Sequence, residues 1–349
     1  MLAISGGVDS SVAAALLKEE GYEVVGITFK NFDYNDYSKD PSPKNCCSIE
    51  TLNKARIVCD KLGIPHYVIN RVDQFEKEVI ANFKQSYESG ITPNPCVRCN
   101  SLVRWPELIH LADDLGIEFV ATGHYAQIAN VDGRLLIQRA EFGDKDQTYA
   151  LWGIKRQYLA KTLFPVGKYA KQHIMEIAVK YNFANTSYIE SQDLCFIPDG
   201  NYTDVLGISS PGEIVDVDGN VLGEHKGLLH YTVGQRRGLG ISSPEPLYVL
   251  EIDLGANRLI VGTEKQIFKS RFLAKESNWF IDISNSEKIR CRAKIRYRHE
   301  PAACSVIFAG SDKMEVVFDE PQRAITPGQS AVFYDNQILL GGGVIEAVF

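Results

Sequence analysis

Apolar residues follow two different periods along the chain, one after the other. In the first third, short β-branched runs alternate with stretches of helical spacing. Residues 1–4 read as the tail of a strand, 12–18 as a helix, 22–29 as a strand, and 48–62 as a helix ended by Gly63. The series continues with a strand over 67–70, a helix over 75–89 that is polar on one side, a helix over 107–115 between Pro106 and Gly116, and a strand over 118–121. This alternation predicts an α/β fold, a parallel sheet with helices on both faces. Ligands then lie at the carboxyl ends of the strands. Only four residues precede the first glycine-rich turn, too few for a full central strand; either the first strand is short or the chain begins late, and both readings predict a weak N-terminal edge.

Near Ser209-Ser210-Pro211-Gly212 the pattern changes. Short strands and glycines replace long helices as far as Gly262. From Arg271 onward only strand-like alternation remains, with turns at Gly310-Ser311-Asp312, Pro327-Gly328 and Asp335-Asn336. That predicts a β-barrel or sandwich. The expected domains are residues 1–205, 206–268 and 269–349.

Composition narrows the class. The 349 residues suit two or three domains, and 45% hydrophobic with 23% charged residues describes an ordinary globular chain. No apolar run reaches the roughly 20 residues that span a bilayer. The phosphate loop described next begins almost at once, leaving no room for a leader. Cytoplasm without a membrane partner is therefore the expected location. Eight cysteines in a chain of this size argue for reactive or metal-binding thiols rather than a disulfide scaffold. The net charge of −7 argues against indiscriminate nucleic-acid binding but leaves a local RNA-binding patch open.

Ser5-Gly6-Gly7-Val8-Asp9-Ser10-Ser11 lies between the first strand and the first helix. Glycines there let backbone N–H groups converge on an anion, and the helix N-terminus adds partial positive charge. A Walker loop would need a Gly-Lys pair, and none is present. The bland alternative is a glycine-rich strand-to-helix turn. The motif resembles the PP-loop of N-type ATP pyrophosphatases, which cleave ATP between the α and β phosphates and leave AMP on a substrate oxygen. That resemblance implies an adenine nucleotide α-hydrolase-like domain, with ATP and Mg²⁺ as ligands and Asp9 on the metal.

Downstream, Asn94-Pro95-Cys96-Val97-Arg98-Cys99 places two thiols on a Pro-stiffened loop, and Ser191-Gln192-Asp193-Leu194-Cys195 places a third. Together with Ala121-Thr122-Gly123-His124-Tyr125, Lys145-Asp146-Gln147, the 231–238 stretch and Gly341-Gly342-Gly343, the chain resembles the tRNA-specific 2-thiouridylases over its whole length. The resemblance implies replacement of the 2-oxygen of the wobble uridine (position 34) by sulfur. It implies Cys99 as nucleophile and Cys195 as persulfide carrier, the two closing a disulfide at the end of a turnover. It further implies ATP contacts at Ala3, Ile4, Ser5, Gly6, Gly7, Val8, Asp9, Ser10, Phe29 and Gly123. The implied tRNA contacts are Asn94, Pro95, Cys96, His124, Lys145, Asp146, Gln147, Arg296, Tyr297 and Gln329. A persulfide donor, either a cysteine desulfurase or a sulfur-relay protein, is the implied partner besides tRNA.

Position 96 departs from the family pattern, in which Asp is common. Cys96 and Cys99 form a Cys-x-x-Cys pair. The alternative to a persulfide relay is an iron–sulfur cluster on Cys96, Cys99 and Cys195. Cys46 and Cys47 precede a helix that Ser48 would cap, and receive no catalytic role. Cys59, Cys291 and Cys304 read as packing residues.

Lys288, Arg290, Arg292, Lys294, Arg296 and Arg298 occupy every second position of one segment. A strand of period two would put all six on one face and make a phosphate-tracking row. A solvated strand face is the plain alternative. Gln235-Arg236-Arg237 and Arg323 are weaker candidates for RNA contact. Two other functions stand as rivals, an amidotransferase-type synthetase of the same loop class and a non-catalytic RNA-binding protein.

Overall fold

The structure, a computed structural model, describes residues 1–32, 49–183, 194–197, 202–207, 209–283, 288–310 and 312–349. It divides into two compact units. The first comprises residues 1–80, 95–201 and 337–340; the second comprises 81–94, 202–336 and 341–349.

In the first unit β1 (Leu2–Ala3) leads into α1 (Val8–Glu19), followed by β2 (Gly26–Lys30), α2 (Ile49–Leu62) and β3 (His66–Asn70). Next come α3 (Val72–Phe75) and a wide π-helical turn, Glu76–Ile80. The chain then leaves for the second unit as α4 (Ala81–Glu88). It returns as α5 (Pro95–Arg98), which runs through a second π-turn, Cys99–Arg104, into α6 (Trp105–Asp114). After β4 (Val120–Thr122), a hairpin of β5 (Ala126–Val131) and β6 (Arg134–Arg139) precedes β7 (Thr162–Leu163) and α7 (Lys171–Lys180).

The five-stranded sheet has the order β3-β2-β1-β4-β7. All of its pairings are parallel. β1 is only two residues long, as expected, yet it lies in the middle of the sheet and not at an edge. The chain moves outward from β1 to β2 and β3, then resumes on its other side with β4. The carboxyl end of β1 is therefore the topological switch point.

Period two decides what each strand buries. Leu2 and Ile4 enter a core with Val12, Leu16 and Leu17 of α1, Val58 of α2 and Ile174 of α7. Met1, Ile27, Phe29 and Val120 face a second core with Leu108, Ile109 and Ala112 of α6. Each large apolar side chain so buried contributes about 1.5–3 kcal/mol. Ala13, Ala14 and Ala15 are fully buried, which lets α1 pass close to its neighbours.

The second unit continues with α8 (Thr203–Leu206), β8 (Gly212–Val215), β9 (Val221–His225), β10 (Tyr248–Asp253) and β11 (Arg258–Gly262), the four strands forming a sheet of order β10-β11-β8-β9. β12 (Phe268–Trp279), β13 (Lys288–Lys294), β14 (Ala302–Phe308), β15 (Met314–Arg323), β16 (Ser330–Asp335) and β17 (Ile338–Val348) then run β12-β15-β14-β13-β16-β17. β12 also pairs with β17, so the six strands close into an antiparallel barrel. Of the two predicted forms, the barrel is the one found.

The row of basic residues differs from its prediction. β13 ends at Lys294, so Arg296 and Arg298 lie beyond the strand. Arg290 forms a bidentate pair with Asp319 at 2.8 and 2.7 Å and donates to Ser305. Arg292 donates to the Pro301 carbonyl, and Arg296 to that of Arg323 at 3.0 Å. Lys294 is buried, its ammonium 5.5 Å from the Tyr297 ring centre. The neighbouring β strands and turns supplied partners that the alternation of charges did not reveal.

Candidate active site

The phosphate loop forms because two glycines turn the chain at the end of β1. Gly6 has φ +74°, and a Cβ there would lie 2.6 Å from the Thr51 carbonyl oxygen. Gly7 is the N-cap of α1, extended at φ −76° and ψ 159°, with no side chain capping the helix. Ser10 and Ser11 both donate to the Gly7 carbonyl, at 3.0 and 2.8 Å. The Ser10 hydroxyl also accepts from the Ser5 N–H at 3.2 Å. The open end of α1 and this ring of short hydroxyl contacts make an anion cradle at the switch point.

Around the cradle, Ala3 ends β1 and Ile4 is buried, its carbonyl taken by the Thr28 hydroxyl at 2.6 Å. Phe29 is buried near the carboxyl end of β2. Gly123 lies against α1, where a Cβ would come within 2.7 Å of the Ser10 backbone nitrogen. That close approach explains the glycine without a ligand.

Asp9 projects from the first turn of α1 and is about one-third exposed, with 34% of its side-chain surface accessible. Its Oδ1 accepts from the Tyr125 hydroxyl at 2.7 Å and from the Lys171 ammonium at 2.5 Å. A carboxylate beside a phosphate cradle, reachable from solvent, fits Mg²⁺, which binds through one or two carboxylates and the substrate's own phosphates. Lys171 was not foreseen, and nothing separates it from other lysines in the sequence.

The Lys145-Asp146-Gln147 turn faces inward more than the resemblance implied. Asp146 is buried and accepts from Arg139 Nε and the Ala140 N–H, both at 3.2 Å, and from the Thr148 hydroxyl. Gln147 Oε1 accepts from the Tyr125 N–H at 2.9 Å, and the Gln147 N–H donates to the Tyr125 carbonyl at 3.0 Å. His124 is half-buried; its Nδ1 is 2.9 Å from the Thr122 hydroxyl and its ring lies 5.6 Å from Trp105. Burial, and then the nearby Arg104 charge, push its pKa down to about 3, so the ring is neutral.

The cysteine loop is built on Pro95, which suits the first turn of α5 because its missing N–H needs no partner there. Cys96 is exposed and Cys99, at the head of the π-turn, is buried. Arg98 Nε donates to the Glu78 carbonyl at 2.9 Å, tying this turn to the π-turn at 76–80. Asn100 bridges the Ala150 carbonyl and Arg104, at 3.0 and 2.8 Å. Arg98 and Asn100 were not singled out as site residues, although both lie within or beside the cysteine motif. Phe196, next to the half-buried Cys195, packs edge-on against Phe75 at 5.9 Å. Segment 72–80 thus receives both the Cys99 turn and the residue after Cys195. The six described cysteines are thiols.

Among the described residues, no three of His, Cys, Asp and Glu could hold one metal ion. Cys96, Cys99 and Cys195 are thus not gathered around a single ion. Cys46, Cys47 and residues 191–193 lie outside the described residues. Cys59 is buried and its thiol is pushed up to about 11 by burial, in keeping with a packing role. Cys291 and Cys304 face each other across β13 and β14 with sulfurs 3.6 Å apart.

In the second unit, Gln329 does not reach outward. Its Nε2 donates to the Thr92 and Pro93 carbonyls at 3.1 and 3.2 Å, while the Thr92 N–H donates to the Pro327 carbonyl. Gln329 thus anchors the segment that leads to Asn94. Tyr297 remains exposed beside Arg296.

A parallel sheet of this order, with a lysine-free phosphate loop at its switch point, defines a nucleotide-binding domain of the PP-loop class. The matching family models are described as a tRNA methyl transferase HUP domain over residues 1–199, a tRNA methyl transferase PRC-barrel domain over 203–263 and an aminomethyltransferase β-barrel domain over 269–345. Proteins named tRNA-specific 2-thiouridylase MnmA are similar throughout. That of Halothermothrix orenii is 44% identical over 100% of this chain and 99% of its own, and one from Clostridium botulinum is 45% identical over 100% and 98%. The chain belongs to the tRNA-specific 2-thiouridylase family. Among solved structures, the U34-tRNA thiolase NcsA of Methanococcus maripaludis, solved with its iron–sulfur cluster, is 18% identical over 59% of this chain and 68% of that one. Its TM-score of 0.33 is too low to bear on a cluster here. Among the described residues no helix is long and apolar enough to cross a membrane.

Proposed function

We propose that this chain is an ATP-consuming tRNA sulfurtransferase acting on the 2-oxygen of the wobble uridine. In the first half-reaction that oxygen attacks the α-phosphorus of ATP and pyrophosphate leaves, so AMP becomes bound to a former carbonyl oxygen. The cradle at residues 5–11 binds the phosphates, and Asp9 is the carboxylate for Mg²⁺, which would neutralise charge on the departing pyrophosphate.

In the second half-reaction a persulfide on Cys195 attacks carbon 2, and AMP leaves. The Cys99 thiolate then attacks the Cys195 sulfur. The sulfur–sulfur bond breaks, its electron pair stays on the sulfur bound to carbon 2, and a Cys99–Cys195 disulfide remains. A thiol reductant resets the pair, and an external persulfide donor reloads Cys195. Asn94, Pro95, Cys96, Lys145, Arg296 and Tyr297 are the tRNA contacts of this reading. In this reading His124, Asp146, Gln147 and Gln329 instead hold the fold around the site, through Thr122, Arg139, Tyr125 and Thr92.

One observation carries the proposal: the PP-loop cradle and the Cys99 turn belong to one folded unit, in which segment 72–80 also receives the neighbour of Cys195. The test separates the half-reactions. Cys99→Ser and Cys195→Ser should form AMP on substrate tRNA yet yield no thiolated product. Thiolation by either variant at the parent rate would end the two-cysteine mechanism.

A further inference from the structure

The Lys145-Asp146-Gln147 turn and the phosphate loop are far apart in sequence, yet a short chain of hydrogen bonds joins them. Gln147 grips the backbone of Tyr125 from both sides, accepting its N–H at 2.9 Å and donating to its carbonyl at 3.0 Å. Asp146, on the preceding residue, fixes the turn through Arg139, Ala140 and Thr148. Tyr125 is 2% exposed, which leaves its side chain one direction, and its hydroxyl ends on Asp9 Oδ1 at 2.7 Å.

Lys171 meets the same oxygen at 2.5 Å. The two donors differ in what happens when a divalent cation arrives. An ammonium competes electrostatically with Mg²⁺ for the carboxylate, and its flexible stem lets it leave. A phenol is neutral and, with its ring buried, stays. One lone pair of Oδ1 then remains committed to Tyr125, which turns the rest of the carboxylate toward the metal.

We propose that Tyr125 and Gln147 are positioning residues for Asp9, orienting its carboxylate for Mg²⁺·ATP, with Gln147 acting through the Tyr125 backbone. This rests on the reading of Asp9 as the metal carboxylate. It also gives Gln147 a task different from contacting tRNA. The Gln147 amide orientation is fixed by chemistry, because only its oxygen can accept from the Tyr125 N–H.

Binding of α,β-methylene-ATP to the full chain, with and without Mg²⁺, provides the test, alongside AMP formation and tRNA affinity. In Tyr125→Phe the Mg²⁺-dependent gain in analogue affinity should fall about tenfold, the loss expected for one hydrogen bond to a charged group, with Mg²⁺-free binding and tRNA affinity unchanged. Gln147→Glu keeps an acceptor for the Tyr125 N–H and should retain the Mg²⁺ gain, whereas Gln147→Ala should lose most of it. Melting curves identify any variant that fails to fold, and the Glu/Ala pair at position 147 then decides. An unchanged Mg²⁺ gain in Tyr125→Phe, or equal losses in Gln147→Glu and Gln147→Ala, would overturn the proposal. A parent-like Mg²⁺ gain in Asp9→Asn would instead remove the reading of Asp9 on which it stands.

Discussion

The phosphate loop and the basic segment at 288–298 were the two strongest polar signals in the sequence, and they fared differently. The loop is made of glycines and short hydroxyls whose geometry is set by backbone turning within seven residues. Gly6 and Gly7 turn the chain, and Ser5, Ser10 and Ser11 bond within it. The basic segment is made of long side chains, and their targets belong to other elements: Asp319, Pro301 and Arg323. A local motif carries its own structure. A charge period carries only the direction in which side chains leave the strand.

The comparison can be broken at the loop first. Asp9→Asn should lower AMP formation by on the order of 10²–10³-fold, the scale of losing one group that stabilises transition-state charge. The fold should persist, because Asp9 is partly exposed and its carboxylate bonds to Tyr125 and Lys171 at the surface of the cradle. Parent-like AMP formation would reduce the loop to a strand-to-helix turn.

A smaller effect is expected from the basic segment. Arg292, Lys294 and Arg296 changed together to Ala should destabilise the chain by about 1–3 kcal/mol, since two carbonyl bonds and a buried cation–ring contact disappear. The salt dependence of tRNA binding should flatten by about one unit or less rather than by three. A threefold larger flattening with unchanged melting would restore the open phosphate-tracking face.

Much of the first unit was legible. The alternation of strand and helix and the phosphate loop stand where the sequence placed them, whereas Cys96 and Cys99, expected on a loop, lie in α5 and the π-turn after it. The order of the sheet was not legible, because β1 gives no local sign that β2 and β4 will flank it. Helix 75–89 was read as one piece, whereas its first turns are α3 and a π-turn. An inserted residue shifts the helical phase without changing residue type. The β5–β6 hairpin had a signal that went unread: Asp132-Gly133, both at positive φ, φ 50° and 77°, the residue pair favoured in two-residue hairpin turns. Lys171 could not be read at all, since its partner is a fold neighbour and not a sequence neighbour.

The smallest effect sharpens the contrast between exposed and enclosed polar groups. His124 has a folded pKa of about 3, below the roughly 6.5 of an unfolded chain. Between these values the unfolded chain takes a proton that the native chain refuses, so stability falls as pH falls. His124→Asn should make the acid limb of the stability curve shallower, by at most about 1.4 kcal/mol per pH unit. An unaltered slope, measured by urea unfolding between pH 6 and 4, would show that the imidazole titrates freely in the native state.

The contact of Gly123 with α1 also bears on how this sequence can drift. Position 123 is blocked by main-chain atoms of Asp9 and Ser10, which every amino acid possesses, so no replacement at 9 or 10 makes room for a side chain. Gly26 is different: its closest obstacle is the Cys59 sulfur, 2.8 Å from where a Cβ would stand, followed by the Ile4 Cγ2 methyl at 3.3 Å, and both belong to side chains that a smaller residue at 59 and a slight shift at 4 would clear. Gly26, within β2, and Gly123, just after β4, therefore have unequal evolutionary freedom. At 26, neighbouring lineages can exchange a glycine–cysteine pair for an alanine–alanine pair by way of Cys59→Ala. At 123 there is no second site through which such a path could run.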